Sequence, residues 1–110
     1  MKLGYDNTKF ILDNLDDIDK YTSTILFKAG QIIFYKDHEP YGLYILKDGT
    51  VEINYKKYSE KINPVTAFGV NSFVQNTIYK GTAKAIKPCT ISFLSRTKYK
   101  ELIEEKLKTK

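Results

Sequence analysis

From Lys61 to Lys100 the chain contains no Asp or Glu, while Lys61, Lys80, Lys84, Lys87, Arg96, Lys98 and Lys100 fall in or at the ends of that stretch. The two halves are oppositely charged. Residues 1–55 hold 6 Lys and 9 acids, a balance of −3, and residues 56–110 hold 12 Lys or Arg and 4 acids, a balance of +8. Such a distribution suits an anion, either a small phosphate ligand or a nucleic acid. Lysines on solvated faces account for it equally well, because they are scattered and not clustered. Other chemistries are poorly supplied. His38 is the only histidine, in a polar turn, so a metal centre needing several His has no ligand set. Cys89 is the only cysteine, and the one imidazole lies far from it in sequence, so a nucleophile–base pair is not expected. The acids Asp13, Asp16, Asp17 and Asp19 lack the glycine and terminal Glu of a calcium loop. No Ser-His-Asp set, paired carboxylates in a cleft-like context or GxxxxGK loop is present.

The elements that would position such a site are strands. Residues 27–53, FKAGQIIFYKDHEPYGLYILKDGTVEI, read as three strands broken by two turns. Ile32–Tyr35 and Leu43–Leu46 are short apolar, aromatic runs suited to buried strands. Ala29-Gly30 and the run from Lys36 to Pro40 carry turn chemistry. Asp48-Gly49 predicts a type I′ hairpin turn, and after it Val51, Ile53 and Tyr55 alternate with Glu52, Asn54 and Lys56, giving one buried and one wet face.

The rest of the chain follows the same grammar. Asp6-Asn7-Thr8 can cap a helix in which Phe10, Ile11, Leu15 and Ile18 recur at helical spacing, predicting one amphipathic helix. Thr22–Phe27 is β-branched and apolar, a first strand. Tyr58–Asn63 is a polar hairpin end, and Thr66–Gly69 follows it. Val70–Tyr79 is too polar for a strand and too short for a long helix. Thr82–Ile86 and Thr90–Leu94 are further strands around a Lys87-Pro88-Cys89 turn, and Ser95 caps a terminal helix with Tyr99, Leu102, Ile103 and Leu107 as its apolar stripe. Most of the nine Tyr and six Phe fall at core positions, with Tyr41, Tyr55 and Tyr58 the expected exposed ones. Seven or eight short strands with a helix at each end predict a mainly β fold, a small β-roll of the double-stranded β-helix or jelly-roll kind.

This ordered set resembles the cyclic-nucleotide-binding domain of the catabolite activator family and its kinase and channel relatives. It is carried by Phe27, Gly30, Ile32-Ile33, Asp37 at the place of a turn glycine, Tyr44-Ile45-Leu46, Gly49 and Val51-Glu52-Ile53. The resemblance covers about residues 10 to 105 and implies a cassette between two strands that cradles a cyclic phosphate and ribose. In the family that cassette runs Phe-Gly-Glu, a short helix, then Arg-x-Ala-Ser/Thr. The Glu accepts from a ribose hydroxyl, the Arg fork holds the phosphate, and backbone amides add donors. Here Phe68 and Gly69 match, Val70 stands at the Glu position and Asn71 follows it. Counting back from Thr82-Ala83-Lys84-Ala85, the Arg position falls on Tyr79, with Lys80 next to it. Lys80 keeps the charge without the fork, and Gly81 and Thr82 offer an amide and a hydroxyl. The candidate ligand-binding residues are therefore Phe68, Gly69, Val70, Asn71, Tyr79, Lys80, Gly81, Thr82 and Ala83.

At 110 residues the chain is expected to be a single domain, 1–110, of a size that buries a core without staples. No apolar run approaches the ~20 residues needed to cross a bilayer, and no signal peptide is evident, so a membrane partner is not expected. The single Cys fits a reducing cytoplasm. No helix-turn-helix follows the roll, so DNA binding by that route is not expected. The function expected is non-enzymatic: a regulatory or interaction module without a cofactor, acting through a protein partner or self-association. The alternatives are a noncanonical sensor of a cyclic nucleotide or another small anion and, more weakly, a basic nucleic-acid binder.

Overall fold

The computed structural model describes residues 7–108. The predicted loose start at Met1–Tyr5, the capping Asp6 and the side chains of Phe10 and Leu107 lie outside the described residues. The elements run α1 (Asn7–Asp13), α2 (Leu15–Asp19), β1 (Ser23–Phe27), β2 (Ile32–Phe34), β3 (Gly42–Asp48), β4 (Val51–Asn54), β5 (Ser59–Ile62), β6 (Thr66–Phe68), α3 (Val70–Gln75), β7 (Thr82–Ala85), β8 (Cys89–Ser95) and α4 (Arg96–Lys108).

The eight strands form two antiparallel four-stranded sheets, ordered β1-β8-β3-β6 and β2-β7-β4-β5. One core lies between the sheets, where Phe34, Ile53, Tyr79 and Ala83 of one layer meet Leu46, Phe68 and Ile91 of the other. A second core lies on the outer face of the first sheet. There Leu43, Ile45, Ala67 and Leu94 receive Ile11 and Ile18 from the N-terminal helices, Val70 and Phe73 from α3 and Leu102 from α4. The alternation along β3 and β8 separates these two sets, since successive strand residues face opposite sides. The result is the mainly β roll with flanking helices that the strand pattern predicts. Among the described residues no helix is long and apolar enough to cross a membrane.

Four local expectations change. The single amphipathic helix is two, broken at Asn14, whose φ of −113° and ψ of 23° leave the helical region. Asp48-Gly49 does not close a hairpin. β3 pairs with β6 and β8 and β4 with β5 and β7, so this turn carries the chain from one sheet to the other. Gly49 has φ +97° while Asp48 stays at negative φ, so the type I′ geometry is absent. Cys89 opens β8 instead of sitting in the turn, and it is buried. Tyr55 is part-buried, whereas Tyr41 and Tyr58 are exposed as expected. Ser95 caps α4, its Oγ accepting from the Lys98 amide at 3.2 Å, and Asp37, at the turn-glycine place, takes φ +73°.

Candidate functional site

The link between β6 and β7 folds into a short helical arm. Gly69, at φ +68°, turns the chain off β6, and α3 runs only from Val70 to Gln75 because Asn76 takes the left-handed conformation at φ 58°. Thr77 N donates to Ser72 O at 2.9 Å, and Ser72 Oγ donates to Ile78 O at 3.2 Å, so the return toward β7 is tied to the helix that precedes it. Val70 and Phe73 anchor the arm in the second core.

A cavity of about 330 Å³ lies under this arm. Gly69, Val70, Asn71, Tyr79, Lys80 and Gly81 border it, which brings together six of the nine sequence candidates. The other three are placed elsewhere. Phe68 is buried among aromatic rings, 5.9 Å from Phe34 and 5.8 Å from Tyr44 between centroids. Ala83 is fully buried in the inter-sheet core. Thr82 Oγ accepts from the Lys36 amide at 3.0 Å, securing the loop after β2.

The candidates that do border the cavity differ in what they present. Val70 is 5% exposed and gives an apolar edge. Tyr79 is 3% exposed, its ring flat on Phe34. Burial pushes its phenol above the ordinary tyrosine range. Lys80 is exposed and makes no hydrogen bond or ion pair among the described residues. Gly81 is buried, and an added Cβ would lie 2.8 Å from Asn54 O and 2.9 Å from Ile53 Cγ2, so this position is held flush against β4.

The remaining wall comes from residues the sequence reading did not single out as ligand contacts. Ser72, Gln75 and Thr77 supply hydroxyls and an amide from the arm; Phe34, Ile53 and Tyr55 supply the floor from β2 and β4 and the turn after it. Tyr55 stacks on Tyr58 at 4.7 Å, and its hydroxyl donates to Glu60 Oε1 at 3.3 Å. Its phenol is pushed up to about 12, first by burial and then by Glu60. The polarity of Ser72, Gln75 and Thr77 was visible in the sequence. The contribution of β2 and β4 depends on sheet pairing that no local pattern encodes.

The only arginine in the sequence is Arg96. It does not border the cavity. Its Nη2 donates to Pro40 O at 3.0 Å and Phe73 O at 3.1 Å, and its guanidinium lies 4.3 Å from the centre of the Phe73 ring. Among the described residues no carboxylate borders the cavity. Among the described residues no group of three or more His, Cys, Asp or Glu is placed to hold a metal. The wall can therefore donate and accept neutral hydrogen bonds and offers one ammonium at Lys80, but it has no carboxylate pair for acid–base chemistry.

Comparison with known proteins agrees with this architecture. The family model described as the cyclic nucleotide-binding domain matches residues 24–106. The catabolite activator protein of Thermus thermophilus superposes with a TM-score of 0.74 at 22% identity, over 84% of this chain and 46% of that one. A protein of Geobacter metallireducens GS-15, named as a candidate cyclic nucleotide-binding protein, gives 0.70 at 27% identity, over 84% of this chain and 70% of that one. PKAR CBD2 carrying Sp-2Cl-cAMPS gives 0.73 at 21% identity, over 81% of this chain and 62% of that one. The chain thus spans under half the length of the Thermus protein. No curated protein sequence matches it.

Proposed function

Because the chain belongs to the cyclic nucleotide-binding domain family, we propose that it is a non-enzymatic regulatory or interaction module that keeps the β-roll without the family's tight hold on a cyclic nucleotide. The observation that carries this reading is the fate of the guanidinium. The sole arginine is held by Pro40 O, Phe73 O and the Phe73 ring, and counting back from Thr82 puts the phosphate-binding Arg position on Tyr79, buried against Phe34. Val70, aligned with the ribose-binding Glu, turns into the helical core.

Magnitudes support this reading. A hydrogen bond to a charged group contributes about 1.5–3 kcal/mol. Two such partners amount to about 3–6 kcal/mol, or roughly 10²- to 10⁴-fold in affinity. A micromolar site without them falls to about 0.1–10 mM. In this reading the roll acts through its surface, on a protein partner or a second copy, as one domain.

A second reading rests on the cavity itself. It is open, it has nucleotide-scale volume, and Lys80 stands at its wall without a partner among the described residues. Those features support a sensor for a cyclic nucleotide held in a noncanonical way, or for another small anion, with Lys80, the Gly81 amide and the Asn71 and Gln75 amides as contacts. The nucleic-acid reading has less support: on the second sheet Glu52 pairs in register between Lys84 and Lys61, which divides the basic face.

A thermal-shift series with cyclic AMP, cyclic GMP, AMP and inorganic phosphate separates the readings. A ligand that binds the folded state raises stability by RT ln(1 + [L]/Kd). The module reading expects no shift with either cyclic nucleotide at micromolar concentration. The sensor reading expects one that disappears in Lys80→Ala.

A further inference from the structure

A second concavity, of about 140 Å³, lies beside the first and shares Phe34 and Tyr79 with it, so that these two stacked rings form the wall between them. The rest of its aromatic border is Tyr35, His38, Tyr41 and Tyr44, Ile33 completes it, and Glu39 is the carboxylate that borders it among the described residues. We propose that this hollow is an aromatic cage for a trimethylammonium group. It does not depend on how the larger cavity is read.

The size fits. At about 140 Å³ the hollow exceeds what one water needs several times over and has room for a compact quaternary ammonium head. The chemistry fits as well. A cation over the faces of electron-rich rings is attracted by their quadrupoles. Burial pushes the Tyr44 and Tyr79 phenols upward, so both rings stay neutral and keep those faces. Glu39 makes no hydrogen bond or ion pair among the described residues and supplies the opposite charge. The neighbouring lysine and arginine are already engaged, Lys36 Nζ 3.2 Å from Asp37 Oδ2 and Arg96 over Phe73, and His38, which borders the hollow, packs on Tyr35. A primary ammonium would surrender its hydration for a single carboxylate. A methylated one has no N–H to satisfy and matches a wall of rings.

The loop bearing the cage is held before any ligand arrives. Asp37 N donates to Tyr79 O at 2.8 Å, Tyr79 N to His38 O at 3.0 Å and His38 N to Tyr35 O at 3.2 Å. Pro40 O accepts from Arg96 at 3.0 Å. His38 also packs on Tyr35, with centroids 5.3 Å apart. Against this fixed frame Tyr35 and Tyr41 remain 52% and 76% exposed. Two large rings left open beside an unpaired carboxylate are what a cation site requires and what folding alone does not.

The test is an aromatic NMR titration of the whole chain with choline, with its uncharged carbon isostere 3,3-dimethyl-1-butanol, and with a peptide containing trimethyllysine. Choline should move the Tyr35 and Tyr41 ring signals, the isostere should bind at least about tenfold more weakly, and Glu39→Gln and Tyr41→Ala should each weaken choline about tenfold. Tighter binding of the peptide than of choline would assign the ammonium to a modified lysine on a partner; the reverse would assign it to a free small molecule. Equal response to choline and the isostere, or ring signals that move no more than with sodium chloride, would overturn the proposal. Should Tyr41→Ala fail to fold, the exposed Glu39→Gln variant and the isostere comparison decide it.

Discussion

The ring of Tyr79 lies flat on the ring of Phe34, with centroids 3.7 Å apart and planes 8° from parallel. One contact thereby helps close the inter-sheet core and backs the larger cavity. Gly69 is part of the arrangement, since an added Cβ would stand 3.0 Å from Tyr79 Cε1 and 3.1 Å from Phe34 Cε2.

The stack sets the first expectation. Tyr79→Ala empties a buried aromatic site and should cost about 3–5 kcal/mol of stability. Tyr79→Phe keeps the ring and should stay within about 0.5 kcal/mol of the parent. Urea denaturation of the two variants checks this; similar losses in both would shift the weight from the ring to the hydroxyl.

A second expectation concerns alkaline pH. Burial raises the phenols of Tyr79, Tyr44 and Tyr99, and Tyr55 goes to about 12. The folded state then holds these protons more tightly than the unfolded chain, whose tyrosines titrate near about 10. Stability from this source is full below pH ~10 and declines as pH rises from there through the folded values. Melting temperature should therefore fall between about pH 10 and 12, and less steeply in Tyr79→Phe. An unchanged slope in that variant would remove Tyr79 as a contributor.

Arg96 carries a third. Its Nη2 donates to both Pro40 O and Phe73 O while the guanidinium lies 4.3 Å from the centre of the Phe73 ring. Arg96→Lys retains the charge but not the fork or the stacking, and should lose about 1–3 kcal/mol. Denaturant midpoints measure it; parity with the parent would mean that charge alone suffices.

Much of the fold was legible in the residues. Apolar runs and alternation located the strands, and the ordered pattern from Phe27 to Ile53 pointed to the roll. What was misread was connectivity. Asp48-Gly49 has hairpin chemistry, but a turn specifies a change of direction and not which sheet receives the next strand. Ile11, Leu15 and Ile18 keep helical spacing across Asn14, so periodicity passed over the break there. The site was half legible: Gly69 to Gly81 are contiguous in sequence, whereas Phe34, Ile53 and Tyr55 reach the cavity only through pairing between distant strands. The aromatic hollow escaped for the same reason, because its rings come from β2, β3, their loop and Tyr79.

The sheet-switching turn yields a fourth expectation. Gly49 has φ +97°, and a Cβ there would collide with Pro88 O. Gly49→Ala should be destabilised by about 1–3 kcal/mol or more through left-handed strain and that clash. A thermal melt equal to the parent's would show that the turn relaxes.

The central claim is that this roll lacks tight cyclic-nucleotide binding, and calorimetric titration of the parent and of Lys80→Ala with cyclic AMP and cyclic GMP tests it most directly. The account predicts no saturable heat at micromolar ligand in either protein, with any binding confined to about 0.1–10 mM. Saturable micromolar binding in the parent that is lost in Lys80→Ala would contradict it and give Lys80 the role expected of the missing arginine.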